Sequence, residues 1–327
     1  MGAYMLRRIG YMLITLLGIS VIAFVIIQLP PGDYLTTYIT QLASTGNVVD
    51  QSIIASLERQ YGLDKPLYVQ YFKWMGGVLT GNFGRSFDWN ESVAKIIGER
   101  LPLTVTISLS TLIFTYVVAI PIGIYSAVKQ YSIGDYIATF IGFIGLSVPN
   151  FLLALLFMFG FYRFFGISVS GLFSPEMRDA AWSWAKFKDM LDHLWVPMIV
   201  IGMAGTAGII RTMRATTLDE LGKDYVKMAR SKGLPEWKVI FRHPVRVAIN
   251  PIVSTIGWEL PNIVSGSTIV AVVLNLPTTG PILLQALLAQ DMFLAGSFIL
   301  MLSTLTVIGT LISDLLLAIL DPRIRLE

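Results

Sequence analysis

Two acidic side chains stand in otherwise apolar stretches, where they could do chemistry inside a membrane. Glu259 lies within the apolar stretch 247–276, and Asp314 lies within the stretch 292–320. A carboxylate is costly in hydrocarbon, so such residues usually face a bundle interior or a water-filled cavity. Glu259 therefore either lines a translocation path or, as the alternative, lies near the water interface or pairs with a neighbouring subunit. For Asp314 we predict a structural role, with hydrogen bonds to neighbouring helices.

Side chains suited to catalysis or metal binding are scarce. Cysteine is absent, which excludes thiol catalysis and Cys-ligated zinc, and the two histidines, His193 and His243, argue against a histidine-rich metal site. The sequence shows no G-x-x-x-x-G-K-[ST] phosphate loop, no H-E-x-x-H motif and no Ser/His/Asp set that its spacing brings together. A net charge of +3 does not indicate a nucleic-acid-binding surface. We therefore predict that the chain is not an enzyme and itself binds no metal, cofactor or nucleic acid.

The elements that position these residues are long apolar segments. Of the 327 residues 54% are hydrophobic and 14% are charged, against about 25% charged in soluble domains. A bilayer-spanning helix needs about 20 mostly apolar residues, and in hydrocarbon its backbone must satisfy its own hydrogen bonds. The sequence thus predicts an all-α membrane protein of six transmembrane helices, at 9–29, 103–128, 136–162, 194–210, 247–276 and 292–320.

Local signals refine these spans. The first could be a cleaved signal peptide, but its apolar core is longer than the usual core of about 7–15 residues, so we favour an uncleaved anchor. The fourth holds glycines that favour close helix packing, namely Gly202, Gly205 and Gly208. Prolines are expected to kink or interrupt the third and fifth spans, at Pro149, Pro251 and Pro261.

The charges between the spans predict the topology. The segment 211–246 carries nine basic residues, and the positive-inside rule places such a loop in the cytoplasm. With six spans, both termini are then cytoplasmic, and 30–102 is the largest external segment, which we interpret as a helical cap. Residues 280–289 predict a short apolar helix, either re-entrant or at the outer surface. We interpret residues 1–327 as a single transmembrane domain, with a first span at 1–29 and a core of five spans at 103–327.

The basic segment 211–246 also carries helix boundary signals. Asp219 and Glu220 are predicted to start one short helix, and Asp224 is predicted to cap a second helix that Gly233 ends and Pro235 prevents from continuing. Two short helices joined at a glycine would form a rigid basic protrusion. Such a protrusion can fit a groove on a partner protein and transmit movement into the membrane helices.

At this segment the sequence resembles a known family. The run DYVKMARSKGL at 224–234 is similar to the coupling-helix signature of bacterial ABC importer permeases, in the form found in the dipeptide, oligopeptide and nickel branch. Three further segments resemble the same branch: LRR at 6–8 with PGD at 31–33, YGLDKPL at 61–67 with GNFGRS at 81–86, and Asp314 with LDPRIR at 320–325. The resemblance covers essentially the whole chain and points to the permease with the long external segment.

The resemblance implies a set of partners. It implies a second homologous permease, two cytoplasmic ATPases that bind ATP and magnesium, and an external solute-binding protein, in a bacterial or archaeal cytoplasmic membrane. It also implies ATPase-coupling residues, at Asp224, Tyr225, Lys227, Met228, Ala229, Arg230, Lys232, Gly233 and Leu234. For the charged members, the basic excess of any cytoplasmic loop is the simpler alternative.

The solute is left open between short peptides and oligosaccharides. Many peptide permeases carry a glutamate where this chain reads STIVAVV at 267–273. Trp182, Trp184 and Trp195 could offer flat faces to sugars, but tryptophans are also enriched at membrane interfaces, which we favour. Two other classes remain as alternatives: a secondary carrier or channel independent of an ATPase, which Glu259 would suit, and an intramembrane enzyme, which lacks visible catalytic residues.

Overall fold

The computed structural model describes residues 2–28 and 65–320, and their regular secondary structure is helical. Arg85 and Ser92 form an isolated antiparallel β-bridge. The helices, in chain order, are α1 (Gly2–Gln28), α2 (Leu67–Leu79), α3 (Val93–Val128), α4 (Ile133–Ser147), α5 (Asn150–Phe165), α6 (Trp184–Leu221), α7 (Asp224–Ser231), α8 (Glu236–Arg242), α9 (Pro244–Val273), α10 (Thr279–Leu288) and α11 (Met292–Leu320).

Helices lie at all six predicted spans. Within the described ranges four helical stretches are long and apolar enough to cross a membrane: Leu6–Val25, Val93–Val128, Trp184–Leu221 and Met292–Leu315. The pair α4 and α5 makes a fifth if it is counted as one span. The predicted fifth span lies on α9, whose apolar part among the described residues, Asn262–Val273, is shorter than a bilayer crossing. Residues 30–64 of the predicted external segment lie outside the described residues. The C-terminal motif from residue 321 onward lies outside them as well.

The third predicted span is interrupted at Pro149, as the sequence predicts. Helices α4 and α5 are bent by 108° at a short break. Val148 there is extended, with φ −92° and ψ 123°, because the ring of Pro149 disfavours helical geometry in the residue before it. Pro251 and Pro261 do not interrupt their helix, since α9 runs as one helix through both.

Two helices extend well beyond their apolar runs. Helix α3 begins at Val93, ahead of the predicted start at 103, and α6 runs from Trp184 to Leu221, beyond 194–210 at both ends. Ser183 caps α6 by accepting a hydrogen bond from the backbone N–H of Lys186. Asp219 and Glu220 therefore end a long helix and do not start a short one. Hydropathy marks only the apolar part of such helices, because the polar turns that continue them have ordinary helix propensity.

The chain forms two compact units. The first comprises the residues up to Leu103 together with Thr278–Val307. Its centre is an apolar cluster of buried side chains that includes Phe24, Trp74, Phe87, Val93 and Phe298. Phe24 stacks on Trp74 with ring centroids 6.1 Å apart. The predicted short apolar helix is confirmed as α10 (Thr279–Leu288) in this unit.

Within this first unit, Asp291 forms hydrogen bonds with the loop at 86–88. Its buried carboxylate accepts hydrogen bonds from the Ser86 hydroxyl at 2.5 Å and from the backbone N–H groups of Phe87 at 2.8 Å and Leu294 at 3.1 Å. Burial raises the pKa of Asp291, and these hydrogen bonds oppose that shift. The carboxylate thus caps α11 and ties it to a loop about 200 residues earlier in the chain.

The second unit comprises Thr104–Pro277 and Ile308–Glu327, of which the residues up to 320 are described. Helix α6 lies at its centre and packs against α4, α5 and α9. Gly202 allows close packing as predicted, because an added Cβ would lie 3.0 Å from the Thr115 hydroxyl. Gly208 has nothing within 4 Å of such a Cβ, so the packing prediction is wrong there. Half-buried Asp314 follows Ser313, whose hydroxyl donates to the Val253 carbonyl at 3.3 Å.

Candidate functional site

The first candidate site is the pair of short helices α7 and α8 with the connector 232–235, which we call the elbow (224–242). Helix α7 has the predicted bounds, but Asp224 is its first residue and not its cap. There the carboxylate complements the helix dipole and accepts a hydrogen bond from Lys227 at 2.9 Å, which lowers the pKa of Asp224. Gly233 adopts φ +73°, the left-handed geometry that glycine adopts without a steric penalty. Pro235 then begins α8.

Two sets of contacts hold the elbow in one shape. Val226 and Ala229 of α7 are buried against Val239 of α8. The Arg230 guanidinium donates three hydrogen bonds to the Glu236 carboxylate, one from Nη2 at 2.6 Å and two from Nε at 3.1 and 3.2 Å. This ion pair lowers the pKa of Glu236, and its paired geometry fixes the angle between the two helices.

The elbow is tied to two long helices at its base. The Tyr225 hydroxyl donates a hydrogen bond to Glu220 at the end of α6. Burial, reinforced by the Glu220 charge, raises the pKa of Tyr225 to about 12, so the hydroxyl keeps its proton at neutral pH. At the other end His243 separates α8 from α9 by a single residue. Thr216 of α6 donates to the Ala248 carbonyl of α9 at 3.2 Å, which joins the two long helices beside the elbow.

The elbow exposes four large apolar side chains among its charged ones. Met228, Trp237 and Phe241 are 59%, 63% and 59% exposed, and Leu234 is 39% exposed. Together these four side chains form what we call the docking face. Large apolar side chains exposed together mark interaction surfaces.

Two of the predicted coupling residues have a role inside the elbow. Ala229 is buried inside the elbow, so it is unable to contact a partner directly. Arg230 is engaged with Glu236 within the chain. Trp237 and Phe241 were missed, although their spacing of four residues on the short helix after Pro235 was a readable signal.

The second candidate site is a cavity of about 440 Å³ in the second unit, walled mainly by α6 and α9. Glu259 of α9 is the ionisable residue among its lining residues, and its carboxylate contacts the backbone of α6 at Gly205. Gly205 and Gly208 leave room there because they carry no side chain. The other polar lining residues are neutral, namely Asn150, Thr212, Thr255 and Asn262. The cavity therefore combines neutral polar side chains with apolar ones, and it carries a single negative charge when Glu259 is ionised.

The two candidate sites share their supporting helices. Helix α6 forms one wall of the cavity and leads into α7, while α8 leads into α9, which forms the other wall. The elbow is therefore continuous with both walls of the cavity.

The three tryptophans singled out in the sequence lie apart from this cavity's lining. Trp195 packs edge-on against Phe161 with centroids 5.1 Å apart. Trp182 contacts Phe173, and Trp184 stacks on Phe187 while remaining largely exposed.

Known proteins resemble this chain along its whole length. Residues 119–326 match the family described as binding-protein-dependent transport system inner membrane component, and residues 1–109 match the N-terminal region described for such membrane components. The oligopeptide transport system permease protein AppB of Bacillus subtilis is 34% identical over 99% of this chain and 100% of the relative. The dipeptide transport system permease protein DppB of Lactococcus lactis is 31% identical over the full length of both. DppB of Escherichia coli is 29% identical over 98% of each chain.

Proposed function

The chain belongs to the family of binding-protein-dependent transport system inner membrane components, and from this premise we propose how it imports its solute. It is the multi-pass permease subunit of an ATP-binding-cassette importer, and it works with a solute-binding protein and an ATPase. We propose that it pairs with a second, related permease and that two ATPase subunits serve the pair. ATP and magnesium then bind the ATPases and not this chain.

The observation that carries the coupling proposal is the docking face on a rigid elbow. Met228, Leu234, Trp237 and Phe241 are exposed together, while the buried contacts and the Arg230–Glu236 pair keep their support in one shape. Buried aromatic anchors dominate most protein interfaces, so these side chains supply the affinity for the ATPase. Lys227 and Lys232 lie beside them and supply charge contacts at the rim.

Coupling follows from the connections of the elbow. When the ATPases close on ATP, they displace the docking face, and α6 and α9 move with it because the elbow continues into both. The cavity between these helices then alternates its access between the two sides of the membrane. Directed transport requires only that each ligand binds the two states with different affinities.

We propose short peptides as the solute. The similar proteins named above are permeases for oligopeptides and dipeptides by name. The Glu259 carboxylate suits the positive amino terminus of a peptide, and the neutral lining of Asn and Thr side chains suits its backbone amides. Oligosaccharides have no positive group for Glu259. A thermal-shift screen of the cognate binding protein against peptides and oligosaccharides distinguishes the two classes.

Alanine substitution on the docking face tests the proposed function. We expect Trp237→Ala or Phe241→Ala to weaken binding of the ATPase about tenfold or more, because interface anchors contribute about 2 kcal/mol or more. ATP-driven uptake in vesicles should fall in parallel. Trp184→Ala is the matched control, since that tryptophan is exposed at the far end of α6. Uptake driven by an ion gradient without any ATPase would refute the proposal.

A further inference from the structure

A second cavity in the same unit has a different chemistry from the Glu259 cavity. It is a groove of about 310 Å³ between α4 and α6. Along α4 its lining runs from Asp135, which pairs with Arg214, to apolar Leu146, and Arg211 lies over Phe143 between them. A groove that is charged at one end and apolar along its length matches the shape of a phospholipid.

The charged end retains a net positive charge. Arg214 is engaged in a two-point ion pair with buried Asp135, at 2.9 Å for each hydrogen bond. The backbone N–H of Tyr131 also donates to Asp135 at 3.0 Å. Arg211 lies over the ring of Phe143 with 5.6 Å between its guanidinium carbon and the ring centroid, and no acidic side chain within residues 2–28 and 65–320 pairs with it. The charges of Asp135, Arg211 and Arg214 add up to a net charge of +1. Arg211 carries this positive charge in the groove.

The position of the charges fits the surface of a bilayer. Arg211 and Arg214 directly follow the apolar run 194–210, and Asp135 precedes the apolar stretch that begins at 136. Both helices therefore bring their charged residues to the level where hydrocarbon gives way to headgroups. Basic pockets between transmembrane helices at this level bind the headgroups of anionic lipids.

We propose that this groove binds an anionic phospholipid, with the phosphate at Arg211 and Tyr131 and an acyl chain along Phe143 and Leu146. Tyr131, Phe143 and Leu146 are all exposed, and their uncovered apolar surface needs a hydrophobic occupant. Gly142 lines the middle of the groove, where an added Cβ would meet only the Ala207 side chain at 3.9 Å. The absent side chain leaves the path of the acyl chain open.

Lipid retention by the complete transporter tests this proposal. The purified complex is placed in nanodiscs of phosphatidylcholine mixed with phosphatidylglycerol, and the lipid that remains bound is measured by native mass spectrometry. We expect phosphatidylglycerol to be enriched over the bulk mixture. Arg211→Gln should lower that enrichment about fivefold, since one basic side chain at the surface contributes about 1 kcal/mol. Gly142→Leu should lower it as well by filling the groove.

Two matched controls separate this site from general effects. Arg246→Gln removes the same charge from an exposed position outside the groove, and Gly160→Leu adds the same bulk where an added Cβ meets nothing within 4 Å. Both should retain the enrichment. The proposal is overturned if phosphatidylglycerol is not enriched, if Arg211→Gln leaves the enrichment unchanged, or if a cysteine placed at Ala138 cross-links to the second permease.

Discussion

Glu259 is the ionisable residue of a cavity whose other lining side chains are neutral. Within the described residues 2–28 and 65–320, no basic side chain forms an ion pair with it. A charged group held in this way is costly in a membrane interior unless a ligand or water compensates it. At the scale of single residues, we therefore expect the charge of Glu259 to discriminate between solutes.

We expect Glu259→Gln to lower the kcat/KM of uptake about tenfold for peptides with a free amino terminus. Hydrogen bonds to charged groups contribute about 1.5–3 kcal/mol, and the substitution removes the charge while keeping the shape. N-acetylated peptides serve as the control, because they have no positive amino terminus to lose. Initial rates in reconstituted vesicles measure both. Equal losses for the two peptide classes would show that Glu259 does not recognise the amino terminus.

Gly233 is the second residue at which a single change is informative. Its φ of +73° costs a β-branched residue about 1–2 kcal/mol, so Gly233→Val should distort the connector between α7 and α8. We expect ATP hydrolysis to continue while the amount of solute imported per ATP falls several-fold, with membrane insertion unchanged.

Gly222→Ala is the control for this change. Gly222 has φ −77°, a geometry that alanine adopts, and the nearest atom to its added Cβ is the Asp219 carbonyl oxygen at 3.8 Å. Vesicles should import normally with this variant. Normal coupling in the Gly233→Val transporter would show that the connector does not transmit the movement.

At the scale of elements, the Asp291 carboxylate joins the loop at 86–88 to the start of α11 by hydrogen bonds. We expect Asp291→Asn to destabilise the protein by about 1–3 kcal/mol, the cost of leaving a buried polar group unsatisfied. The amide nitrogen of Asn is a donor, and it would face Ser86 and backbone N–H groups that are donors as well. Thermal unfolding of the purified protein in detergent measures the loss.

Asp88→Asn provides the comparison for the Asp291 change. Asp88 is exposed and accepts one hydrogen bond from Gln285 at 3.0 Å, so its replacement should change stability by no more than about 0.5 kcal/mol. Indistinguishable unfolding of the two variants would contradict the role assigned to Asp291.

The elements also show what a sequence reveals and what it does not. Apolar runs located the helices at all six spans because burial in lipid demands them. The boundaries of α3 and α6 were wrong because their polar turns carry no hydropathy signal. The contact of Asp291 with Ser86 was not predictable, since it joins residues far apart in the chain at a loop. Trp237 was readable from its helical spacing with Phe241, whereas the internal role of Arg230 depends on the angle at Gly233.

At the scale of the whole molecule, α6 is long enough to cross a membrane and to extend beyond it. Its 38 residues span about 57 Å at 1.5 Å per residue, well beyond a hydrocarbon core of about 30 Å. Trp184 at its start and the elbow beyond its end therefore lie on opposite sides. The nine basic residues at 211–246 favour the cytoplasmic side for the elbow.

Single cysteines test this topology, because the chain contains none of its own. A membrane-impermeant maleimide should label Trp184→Cys in intact cells and Met228→Cys only in inside-out vesicles. Both positions are exposed, so each is accessible to the reagent on its own side. The ATPase should protect Met228→Cys from labelling. The opposite labelling pattern would invert the topology proposed for the chain.

The continuity of α6 and α9 from the cavity to the elbow has a thermodynamic consequence. Two ligands that bias one shared rearrangement must influence each other reciprocally. If the nucleotide-loaded ATPase lowers the affinity of the cavity for solute by some factor, solute in the cavity lowers the affinity of the elbow for that ATPase by the same factor. The proposed coupling would therefore also make the permease a sensor, which reports to the cytoplasm whether it is loaded.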